Sequence, residues 1–247
     1  MNGLQRISRL IRPRTGREKR MVCVGHSHLV CVSQAAKSQN MDVVFINFWF
    51  SANPLIVTDG VTHLNPELAR ELHGHIFLFV GGSAFAVLGL LLHPHPFDFI
   101  LPEAPHLPLM ETAQLLPLDA VQAALMAIDL EFFEQMKLIR AAARGLVFYC
   151  EPPPPYPDAG RMLPDVPWER LEGRGKEIAP QYFRYKLWLL NSQIMRAFCR
   201  QNSIIFIPCP PEAIDAEGFL LSAYYSDPTH ANPAYGALVL DQMRRMA

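Results

Sequence analysis

The chain has 247 residues, half of them hydrophobic and 18% charged, and its formal net charge is −1. A chain of that length can bury one substantial core without disulfides or metals to staple it. Its five cysteines are scattered through apolar stretches with no Cys-x-x-Cys pair, which argues against a disulfide framework and a zinc site and for buried thiols in a reducing, cytoplasmic compartment.

Charge is distributed unevenly. Residues 1–20 hold seven basic groups against Glu18, leaving 15 basic and 22 acidic groups in residues 21–247. This basic segment lacks the apolar stretch of a secretory signal, and Pro13 would stop a helix carrying Leu4, Ile7, Leu10 and Ile11. Residues 1–20 therefore read as a flexible tail, capable of weak contact with a membrane surface. The basic groups are not interleaved with aromatic residues across the body, so no nucleic-acid partner is expected. Gly173-Arg174-Gly175-Lys176 lacks the spacing of a phosphate-binding loop, and no cofactor is implied.

In chain order, the short apolar run Met21 to Gly25 predicts a first strand and Leu29 to Gln39 its crossover helix. Val43 to Phe48, Ile76 to Gly81, Leu146 to Cys150 and Ile204 to Ile207 predict four more strands. The uncharged run Ile76 to Leu92 is interrupted by Gly81-Gly82-Ser83, so it reads as a strand and an apolar loop or helix rather than a bilayer span. Helices are expected over Leu118 to Ala143, Gln181 to Gln201 and Pro233 to Met246. Two proline-dense connections, residues 93–117 and 152–167, read as stiff surface walls rather than core. Doubly buried strands alternating with helices specify an α/β fold. The expected architecture is a flavodoxin-like three-layer α/β/α sandwich with a five-stranded parallel sheet, forming a single domain over residues 21–247.

Ligand sites in such sheets lie beyond the carboxyl ends of the strands. Ser27, Ser83, Glu151 and the segment Asp227 to His230 should all rise from that edge. Serine is a poor nucleophile at neutral pH, and needs an imidazole to take its proton and a carboxylate to orient that imidazole. Asp227-Pro228-Thr229-His230 supplies both three positions apart, and Gly25-His26-Ser27-His28 supplies the serine. The pair His26 and His28, joined by Asp227 or His230, would alternatively serve a metal-dependent hydrolase.

The block Val22-Cys23-Val24-Gly25-His26-Ser27-His28, together with Asp227-Pro228-Thr229-His230 leading into Ala231-Asn232-Pro233-Ala234-Tyr235-Gly236, resembles the first and last blocks of the SGNH, or GDSL-like, hydrolase superfamily. The resemblance implies Ser27 as nucleophile, His230 as general base and Asp227 as its partner. It implies oxyanion binding by the Ser27 backbone, Gly60, Gly82 and Ser83. The implied substrate is a small-molecule or carbohydrate acyl ester. Water as acceptor gives an esterase or carbohydrate deacetylase, and a sugar hydroxyl gives an O-acyltransferase. Two positions depart from the family pattern: His26 stands where the family has aspartate, and Ser83 where it has asparagine. A catalytically weak member that binds an acylated or carbohydrate ligand is the alternative these departures leave open. The segment Phe85 to Leu92, with Phe97, Phe99 and Ile100, is expected to wall the acyl side of the site.

Overall fold

The computed structural model describes residues 8–9, 20–49, 54–166 and 177–247. Five parallel strands form its centre: β1 (Met21–Gly25), β2 (Val43–Asn47), β3 (His75–Phe79), β4 (Val147–Cys150) and β5 (Ile205–Ile207). They lie in the order β2-β1-β3-β4-β5, the flavodoxin-like doubly wound arrangement. Val22, Cys23, Val24, Ile76, Phe77 and Leu78 are wholly buried, as strands covered on both faces require. Ser8–Arg9 pairs antiparallel with β2; the rest of the expected basic tail, apart from Arg20, lies outside the described residues.

Helices α1 (Leu29–Ser38) and α5 (Pro233–Met246) pack together, while α2 (Ala84–Gly89), α3 (Leu118–Ala142) and α4 (Gln181–Gln201) form a second group. The α1–α5 contact depends on Gly236, where an added Cβ would fall 2.3 Å from the carbonyl oxygen of Cys31. No described helix is long and apolar enough to cross a membrane. All five cysteines are free and buried.

An element missing from the sequence reading is the hairpin Leu55–Thr58 with Val61–Leu64. Its Asp59-Gly60 turn has positive φ at both residues, the signature of a type I′ connection.

The prolines of residues 93–117 lie at the surface as expected, but the second connection begins more deeply buried. Residues 151–156, including all four consecutive prolines, are buried. Proline has no N–H to satisfy, so burying such a run leaves only carbonyls in need of partners. Trp188 Nε1 donates to the Pro152 carbonyl at 3.2 Å, the Leu220 amide donates to Pro155 at 3.2 Å, and Arg184 donates to the carbonyls of Tyr156 and Pro157. Arg184 is itself buried, which lowers its pKa to about 10.

The other connection is tied down by charge. Asp98, Phe99 and Leu101 are buried, and Lys186 on α4 reaches Asp98 Oδ1 at 2.6 Å. Lys186 also donates to the carbonyls of Phe99 and Pro108, while Asp98 accepts from the amides of Phe99 and Met110. The segment that carries His93 and Pro94 to the site edge is therefore anchored by a saturated buried ion pair.

Candidate active site

The site begins with a backbone device at the end of β1. Gly25 has φ of +154°, and an added Cβ would lie 2.2 Å from the Phe79 carbonyl oxygen, so only glycine lets the chain leave the strand here. The Gly25 carbonyl accepts from the Phe48 amide, and the His26 amide donates to Phe79. Ser27 follows in the turn that enters α1, where its carbonyl accepts from Val30 and its own amide makes no backbone hydrogen bond among the described residues.

Asp227 and His230 are brought together by a tight turn. Tyr225–Asp227 and His230–Ala231 pair antiparallel, with Asp227 opposite His230. Pro228 and Thr229 close the turn, and the Thr229 amide donates to Asp227 Oδ1 at 3.0 Å, an Asx-turn bond. Asn232 then caps α5 by accepting from the amides of Ala234 and Tyr235. His230 Nδ1 lies 2.8 Å from Asp227 Oδ1 and 2.9 Å from Oδ2, with the Thr229 hydroxyl 3.1 Å away. Burial pushes the Asp227 carboxyl up, but hydrogen bonds from His230 and from the Thr229 amide and hydroxyl together outweigh it, leaving the group below its ordinary pKa. Asp227 is thus an anion suited to hold His230 with its proton on Nδ1 and Nε2 free.

Ser27, His28, Ser83, Asp227, Thr229 and His230 line one cleft of about 810 Å³. Ala86, Val87, Leu88 and Leu90 to Leu92 form its apolar wall, and Trp49, 62% exposed, stands at its rim. The Ser27 hydroxyl makes no hydrogen bond among the described residues, to His230 or to any other group.

The remaining sequence candidates divide. Ser83 lines the cleft at the start of α2, and its side chain makes no capping hydrogen bond. Gly60 does not join the site: it occupies the exposed tip of the hairpin, where an added Cβ would meet nothing within 4 Å. The reason is local, since the Asp-Gly pair is used to turn the hairpin. Gly82 is not among the cleft-lining residues; it packs against Tyr149 and Pro152. Glu151 is buried, accepting from Ser192 and from the Cys209 amide, so it serves the scaffold. His26 sits among Phe48, Trp49 and Phe132, whereas the ring of His28 faces that of His230. Among the described residues, no group of three or more His, Cys, Asp or Glu side chains is arranged to hold a metal ion. Phe99 is buried against Phe183, and Phe97 packs on the same ring, so neither joins the apolar wall of the cleft. The sequence reading also passed over Thr229 and Trp49, although Thr229 lies between Asp227 and His230 in the chain.

Behind the Gly81–Ser83 turn lies a group that the sequence did not flag. Asp129 on α3 is fully buried, and neither carboxyl oxygen has a hydrogen-bond partner. Burial raises its pKa from 3.8 to about 7, opposed by the nearby Gly82 amide. Between those values the folded chain binds a proton that the unfolded chain releases, so this contribution to stability is full below about pH 4 and gone above about pH 7. Asp129→Asn should remove that dependence and raise stability at pH 8 by up to about 4 kcal/mol, measured as urea midpoints from pH 5 to 8. Parallel pH dependences in wild type and variant would show that Asp129 does not titrate in this range.

No protein-family model matches this sequence, and no curated protein matches it. Solved structures do. The periplasmic domain of a Salmonella Paratyphi A lipopolysaccharide acetyltransferase is 12% identical, over 94% of this chain and 84% of that one, with a TM-score of 0.45. A GDSL-like lipase from Bacteroides thetaiotaomicron is 14% identical, over 93% and 89%, with a TM-score of 0.42. A variant of an acetyl-xylooligosaccharide esterase from Geobacillus is 9% identical, over 94% of each chain, with a TM-score of 0.40. These are distant likenesses of fold, and the chemistry below rests on the geometry of the cleft.

Proposed function

We propose that the protein is an SGNH-type serine acyl hydrolase or O-acyltransferase acting on a small-molecule or carbohydrate acyl ester. The observation that carries this reading is the Asp227–His230 pair, at 2.8 Å, opening onto the cleft that Ser27 also lines. Ser27 Oγ would attack the ester carbonyl as His230 Nε2 takes its proton, and His230 would return that proton to the departing alkoxide. Water or an acceptor hydroxyl, activated by the same nitrogen, would then release the acyl group from Ser27. Asp227 would orient the imidazole and stabilise its cationic form.

The Ser27 amide and Ser83 hydroxyl are the donors available to the developing oxyanion. Loss of one such donor costs a factor of about 10² to 10³ in rate, so the displacement of Gly60 to the hairpin tip favours a slow enzyme. The experiment is hydrolysis of a p-nitrophenyl ester by wild type and Asp227→Asn. The variant should lose a factor on the order of 10⁴ in kcat, because the imidazole adopts the wrong tautomer. Equal kcat in the two proteins would remove Asp227 from the mechanism.

A further inference from the structure

His28 lines the cleft, yet the acyl-transfer steps leave it without a purpose. It directly follows the proposed nucleophile and occupies the N-cap position of α1, yet its side chain makes no capping hydrogen bond. Its ring turns into the cleft instead, with its centroid 5.3 Å from that of His230 and the two planes tilted by 56°. His230 is itself held at Nδ1 by Asp227 and the Thr229 hydroxyl. Bonds at one nitrogen fix that edge of an imidazole but leave the ring free to tilt about them. A second ring packed against it removes that freedom.

We infer that His28 is a positioning residue for the reaction proposed above: its ring supports that of His230 and keeps Nε2 directed toward Ser27. Since His28 and Ser27 are adjacent in the chain, one turn then sets both the nucleophile and the lie of its base. The electrostatics agree with this role. Burial, with contributions from His230 and His26 and against the pull of Asp227, lowers the His28 pKa to about 3. The positive end of α1 also disfavours a cation at this position. His28 therefore stays neutral while His230 gains and loses its proton, and does not repel the imidazolium that forms during turnover. A role as alternative base is disfavoured for the same reason.

The test uses the full chain carrying His28→Ala, His28→Phe or His28→Lys, with p-nitrophenyl ester turnover measured from pH 5 to 9. Misplacement of a reacting group by an ångström can cost about 10²-fold, so His28→Ala should lower kcat by about 10- to 100-fold with KM within about twofold of wild type. His28→Phe, which restores an uncharged ring, should recover kcat to within a few-fold. His28→Lys places a cation beside His230 and should move the titration midpoint of the His230 C2–H proton, followed by NMR, down by roughly one unit. Unchanged kcat in His28→Ala, or His28→Phe no better than His28→Ala, would overturn the positioning role. The NMR arm separates this inference from the reading it rests on. A wild type without turnover whose His230 midpoint still shifts in His28→Lys would count against acyl transfer but uphold the ring contact, whereas absence of the shift would overturn the contact itself.

Discussion

Replacing Ser27 by alanine should lower kcat for an activated acyl ester by a factor on the order of 10⁴ to 10⁶ while leaving the melting temperature within a degree or two of wild type. The size of the loss follows from the division of labour. Without the hydroxyl no covalent ester forms, and the Asp227–His230 pair has no proton to move. What remains is rate enhancement from binding and oxyanion donors alone, and here those donors are few. Stability should be indifferent, because the Ser27 side chain is half-buried, makes no hydrogen bond among the described residues, and lies outside the packed layers. Loss of one hydroxyl from such a position costs little. If turnover fell by less than about tenfold, water attack assisted directly by His230 would be the better account.

The largest expected effect on stability is at the buried ion pair. Lys186→Met should destabilise the protein by about 3 to 5 kcal/mol, since it leaves the Asp98 carboxylate buried without its cation. For a domain of this size that corresponds to a fall in Tm of roughly 6 to 20 °C. The backbone amides of Phe99 and Met110 would still donate to Asp98, but two neutral donors do not replace an ammonium at 2.6 Å. Adding Asp98→Asn to Lys186→Met removes the orphan charge and should recover part of the loss, with the coupling read from a double-mutant cycle. A loss below about 1 kcal/mol in the single variant would mean that the pair is no more than a solvated contact.

The scaffold was legible because its signals are local and redundant. Strand β1 was read with its observed bounds, as were α4 and α5, and the other strands to within a residue or two, because doubly buried runs of Val, Ile and Phe bounded by polar segments leave few alternatives. Asp227 and His230 were legible for a similar reason: four consecutive residues fix their own geometry through the turn. Gly60 was placed by the family resemblance, as the glycine that follows the second strand, and the structure moves it away because Asp59-Gly60 is a stronger hairpin signal than a site signal. The buried prolines were misread since proline is ordinarily a surface residue, and their carbonyls find donors in Trp188 and the Leu220 amide, far away in the chain. Asp129 and the Lys186–Asp98 pair were invisible for that reason as well, because no local pattern shows which charge a fold will bury.

The central claim is that Ser27 is the nucleophile, and covalent trapping tests it most directly. The protein should be incubated with an organophosphonate ester, digested, and mapped by mass spectrometry. A single modification on the peptide containing Ser27, absent when His230 is replaced by alanine, is the expected result. Modification of another residue, or equal labelling of Ser27 without His230, would contradict the account.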